Sequence, residues 1–120
     1  MSDTPLGYAG FFGKVLQQVA ATIDERAKSA DEGTSYTAKL LSKGPERTAK
    51  KLGEEAVELV IALTSQEKEE VAGESADLLY HFLVALRSRG VSLEEVANVL
   101  AERQGISGLV EKASREGDGI

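Results

Sequence analysis

No stretch of this chain alternates apolar and polar residues with a period of two. Wherever apolar residues recur, they recur at the three- and four-residue steps of a helix, so a sheet is not expected. Phe12, Val15, Leu16, Val19 and Ile23 form such a series and predict an amphipathic helix over about 9–28. The small, polar segment 29–35 reads as a loop. SYTAKLLSKG follows as a short helix closed by Gly44. Pro45 suits the first position of the next helix, where its missing N–H costs nothing. That helix is expected to reach Leu63, with Thr64 and Glu67 as a capping box for another from Gln66 to Arg89. Gly90 behind Arg87 and Arg89 marks its end. Ser92 and Glu95 make a second capping box, opening a helix to Arg103.

Short connections make neighbouring helices antiparallel. The expected fold class is all-α, a four- to five-helix bundle forming one domain over residues 1–120, with mobile ends at 1–8 and 104–120. A chain of 120 residues supports one core of ordinary size. The absence of cysteine excludes disulfide frameworks, thiolate metal sites and thiol chemistry. A net charge of −6 argues against non-specific nucleic-acid binding. No apolar run has membrane length, and the first residues lack a signal-peptide pattern, so a cytoplasmic protein is expected.

The charges are ordered. At about 100° per residue, Arg47, Lys51, Glu54, Glu55 and Glu58 fall in one arc of the helix from Pro45, with Leu52, Ala56, Leu59, Val60 and Leu63 opposite. On the next helix Glu67, Glu70, Glu74, Asp77 and His81 form one stripe. A hairpin turning near 64–65 pairs positions whose numbers sum to about 130. Glu54, Glu55 and Glu58 then come level with Glu74 and Asp77. Carboxylates gathered from both helices repel one another unless a cation joins them, and hard oxygen donors favour Mg²⁺ or Mn²⁺. A solvated acidic face is the alternative, and Glu67, Glu69 and Glu70 are read that way. Arg47, Lys50 and Lys51, one to two turns upstream, suit a phosphate chain. They could equally pair with Glu54 and Glu55 along the helix. One carboxylate left off the metal could take a proton from water, Glu54 or Glu55 being placed most laterally. Val57, Ile61, Phe82 and Val84 lie off the core arcs and leave apolar surface for a second copy. Phe11, Phe12 and Tyr80 are read as core or dimer interface.

The segments SYTAKLLSKGPERTAKKLGEEAVELVIA (35–62) and ESADLLYHFLVAL (74–86) resemble the phosphoribosyl-ATP pyrophosphohydrolases of histidine biosynthesis. Four motifs carry the resemblance in order: SYT-x-KL, G-x-x-R, KK-x-GEEA-x-E and E-x-ADLLYH. It covers roughly Phe11 to Arg103. The wider superfamily is the all-α, MazG-like nucleotide pyrophosphohydrolases. The resemblance implies a dimeric helical bundle that uses Mg²⁺ to cleave 1-(5-phosphoribosyl)-ATP between the α and β phosphates. Carried over by position, Glu55, Glu58, Glu74 and Asp77 are metal ligands, and Glu54 is a further ligand or the base. Arg47, Lys50 and Lys51 hold phosphates. Ser35, Tyr36, Thr37 and Lys39 match the segment marking this family within its superfamily and are expected to meet substrate, Tyr36 by stacking on the base unless it packs in a lid, as is His81, which could instead steady a ligand or the fold. Thr48 and Ser75 depart from the pattern. Two other readings remain open on the sequence: a pyrophosphohydrolase acting on (d)NTPs, against which SYT-x-KL argues, and a non-enzymatic acidic dimerisation module.

Overall fold

The computed structural model describes residues 5–29 and 35–105. Most of the expected 29–35 loop, and most of the ends expected to be mobile, lie outside the described residues. The elements are α1 (Pro5–Ser29), α2 (Tyr36–Ser42), α3 (Pro45–Ser65), α4 (Lys68–Ser88) and α5 (Leu93–Gly105). All are helices, as the periodicity predicts, and there is no strand among the described residues. The chain divides into two compact units, one ending at Gly90 and one beginning at Val91.

In the first unit α3 and α4 form an antiparallel hairpin, the most extensive helix pair. α1 and α2 pack against it. Ser35 caps α2, its Oγ accepting from the Ala38 N–H at 3.1 Å. Gly44 follows with φ of 89°, a conformation that side chains disfavour, and the chain turns there into Pro45. α1 is tied to α4 where Arg87 Nε donates to Asp24 Oδ1 at 3.0 Å, with Lys28 3.0 Å from the other carboxylate oxygen. The core consists of Ile23, Ala38, Leu40, Ala62, Leu83 and Val84.

Three sequence expectations are corrected here. Thr64 does not cap α4. Its hydroxyl donates back to the carbonyls of Val60 or Ile61, and Ser65 donates to Ile61, which keeps both residues helical. The start of α4 falls instead at Glu67, whose N–H donates to the Glu70 carboxylate at 3.1 Å. Next, the buried line of α3 runs through Thr48, Glu55 and Ala62, spaced by seven. α4 therefore packs on the seam between the charged and apolar arcs, not on the centre of the apolar one. Leu52 and Leu59 are partly buried beside that seam, while Val60 and Leu63 remain 57% and 62% exposed. Finally, Val84 is fully buried and offers nothing to a partner; Phe11 and Phe12 are exposed, which leaves the interface half of their core-or-interface reading open.

The seam also explains Thr48. Its hydroxyl lies 2.8 Å from that of Ser88 and can donate to the Pro45 carbonyl, joining the start of α3 to the end of α4. In the second unit, α5 begins as the sequence predicts: Ser92 Oγ accepts from the Glu95 N–H, and the Glu95 carboxylate accepts from the Ser92 N–H, both at 3.0 Å.

Candidate active site

The hairpin register brings Glu55 and Glu58 of α3 against Glu74 of α4. One carboxylate oxygen from each lies within 4.8 Å of the others. Glu55 is 6% exposed, because the α3–α4 seam passes through it. Glu74 is partly buried, and its Oε1 has neither solvent nor a hydrogen-bond partner. Burial pushes the Glu74 carboxyl above the usual carboxylate range, and the charges of Glu58 and Asp77 push the same way. An unpartnered carboxylate oxygen in a trio of hard oxygen donors fits a divalent cation.

Asp77 stands one turn beyond Glu74 and is exposed. It lies outside the converging trio, close enough to act on Glu74 through its charge. Its backbone carbonyl accepts from His81 Nδ1 at 2.8 Å. Glu54 sits on the exposed flank, 3.7 Å from Lys51. Lys51 approaches Glu55 more closely, at 3.3 Å, so the pairing along α3 is present. That contact raises the Lys51 pKa above its ordinary value. Arg47, Lys50 and Lys39 are exposed and form no ion pair among the described residues.

The first turn of α2 is clasped to α4 by two side-chain contacts. Tyr36 Oη lies 3.1 Å from His81 Nε2, and the Thr37 hydroxyl meets that of Tyr80. Ser35, Thr37 and His81 are buried, and these bonds occupy their polar side-chain atoms. Tyr36 and Lys39 are the exposed members of the segment. Of the expected site residues, then, three carboxylates converge, Lys51 joins them, and Asp77 and Glu54 flank them. Ser35, Thr37 and His81 are buried and hydrogen-bonded within the first unit. Thr48 and Tyr80, which the sequence reasoning gave no site role, fix the helices that carry the others. No spacing rule links residues some 40 positions apart, so neither contact was legible beforehand.

The family profile for phosphoribosyl-ATP pyrophosphohydrolase matches residues 16–104. The chain belongs to that family. It is 57% identical over 103 residues to the phosphoribosyl-ATP pyrophosphatase 1 of Rhodopseudomonas palustris, an alignment covering 86% of this chain and 95% of the relative. It is 55% identical over 101 residues to the phosphoribosyl-ATP pyrophosphatase of a Ruegeria species, covering 84% of this chain and 95% of the relative. The corresponding protein of Caulobacter vibrioides is 57% identical over 101 residues, covering 84% of this chain and 92% of the relative. Both α3 and α4, with the whole acid trio, fall inside the span matched to the phosphoribosyl-ATP pyrophosphohydrolases.

Proposed function

We infer that this chain hydrolyses 1-(5-phosphoribosyl)-ATP to 1-(5-phosphoribosyl)-AMP and pyrophosphate, the second step of histidine biosynthesis. The convergence of Glu55, Glu58 and Glu74 on one point, in a member of this family, carries that reading. We propose Mg²⁺ as the cation, with Mn²⁺ a competent substitute, held by these three residues and by Asp77. When bound, such an ion neutralises phosphate oxygens and lowers the pKa of water.

The chain's own groups supply the rest. Glu55, buried and paired with Lys51, is suited to ligation and not to proton transfer. Glu54 is exposed beside it and only loosely paired, 3.7 Å from Lys51, so it takes the proton as general base. Arg47 and Lys50 reach outward from the same helix to hold the phosphate chain, with Lys51 bridging toward the carboxylates. The exposed strip of Val57, Val60, Ile61 and Leu63 supports a homodimer formed through α3. No described helix is long and apolar enough to cross a membrane, and we assign the reaction to the cytoplasm.

The test is release of pyrophosphate from phosphoribosyl-ATP, with dCTP and dUTP as competitors for the same site. Turnover of the dNTPs in preference to phosphoribosyl-ATP would overturn the substrate assignment.

A further inference from the structure

The acid trio and the cations of α3 account for a phosphate chain but leave the nucleobase unheld. A base is a flat, largely apolar group, and an exposed aromatic face is what binds one in water. Among the described residues, Phe11 and Phe12 are exposed on α1, which carries none of the acid trio. Phe82 and Tyr80 are half-buried in α4. Tyr36 differs from all of these. The residue is 55% exposed although its hydroxyl is anchored. Its hydroxyl is tied through His81 to the backbone of Asp77, one turn from Glu74 of the trio; burial raises the pKa of its phenol, and the charges of Lys51 and of Glu55 in the trio also act on it.

The anchor has a defined direction. The Asp77 carbonyl can only accept, so His81 Nδ1 carries the proton. In the neutral ring Nε2 is then an acceptor, and the Tyr36 hydroxyl donates to it. The His81 ring is further held edge-on between Tyr36 and Tyr80, with centroids 6.0 and 5.0 Å away. A ring fixed by its hydroxyl loses little rotamer freedom on binding.

We propose that Tyr36 is the stacking platform for the purine base of the substrate, and that His81 is a positioning residue that holds the ring in place. This rests on the reading of the acid trio as a nucleotide site. Two probes separate the claims: inorganic triphosphate, which has no base, and α,β-methylene ATP, which has one. Binding of each to the full chain with Mg²⁺ is measured by calorimetry. The chain has no tryptophan and three tyrosines, so quenching of tyrosine emission gives a second readout of stacking.

The wild type binds both probes, and the nucleotide quenches emission. Tyr36→Leu loses about ten-fold or more in nucleotide affinity, keeps triphosphate affinity within about two-fold, and loses the quench. Tyr36→Phe and His81→Leu each give a smaller, equally selective loss, and their double variant is no worse than either alone. His81→Gln, which retains an acceptor, recovers nucleotide affinity. Equal loss of both probes in Tyr36→Leu, or loss of neither, overturns the platform. An unchanged His81→Leu, or additive losses in the double variant, overturns the positioning role. A wild type that binds neither probe sinks the nucleotide-site reading itself.

Discussion

Lys51 Nζ stands 3.3 Å from Oε2 of Glu55, one turn along α3, and neutralises the most buried carboxylate of the acid trio. Without the ammonium, three carboxylates would face one another across the hairpin. Lys51→Met is expected to lower the unfolding free energy by about 1 kcal/mol in metal-free buffer, since its partner is buried but Lys51 itself is partly solvated. Millimolar Mg²⁺ narrows the deficit by supplying the missing positive charge. Urea titrations with and without Mg²⁺ measure this, and an identical deficit in both refutes it.

Glu74 gives the trio a pH signature. Its pKa is raised by burial and by Glu58 and Asp77, so the fold favours the protonated form. That contribution is fully present below the ordinary glutamate value of 4.5 and is lost as pH rises through the raised one. Without metal, Glu74→Gln melts above the wild type at neutral pH, and the gap closes toward pH 4. With Mg²⁺ the wild type gains and the variant gains less. Thermal melts across pH read both effects.

Ligand and base separate by two measurements on the same variants. Glu58→Gln abolishes the Mg²⁺-dependent rise in melting temperature along with pyrophosphate release. Glu54→Gln keeps the thermal response and loses about 10²–10⁴-fold in kcat. If Glu54→Gln also loses the thermal response, Glu54 is a ligand. Asp77→Asn, which leaves the three converging carboxylates in place, is expected to weaken Mg²⁺ affinity without abolishing it.

The proposed dimer rests on the exposed strip of α3. Val60→Asp places a charge on it away from the trio and is expected to shift the sedimentation profile from the proposed dimer to monomer. An unaltered sedimentation profile removes α3 from the interface.

Thr48 links the helices at the end of the hairpin remote from the turn. Thr48→Val keeps the shape and removes the hydroxyl beside Ser88, at a cost of about 1–2 kcal/mol in chemical unfolding. The Mg²⁺ response is retained, because the trio lies farther along α3.

The residues that could be read in advance are those whose signal is local. Ser92 with Glu95 and Gly90 carry their boundaries in three or four adjacent positions, and each stands where the pattern puts it. Thr64 shows the limit of such signals. A threonine can cap the next helix or donate to its own preceding turn, and the composition of the turn does not separate the two. The approach of Glu55 to Glu74 followed from hairpin arithmetic, because antiparallel register is a one-dimensional count.

By itself, the order of residues determined the helices, most of their ends, the pairing of two acid motifs across a tight connection, and the absence of thiol chemistry. Only the tertiary structure decided which side of α3 faces α4. Helical periodicity defines arcs of about 100°, and a neighbour can settle on the middle of an arc or on its border. Here it settled on the border, drawing Glu55 inside, leaving Val60 and Leu63 outside, and setting Tyr36 against His81. Those three outcomes depend on packing among residues far apart in the chain, which no local pattern encodes.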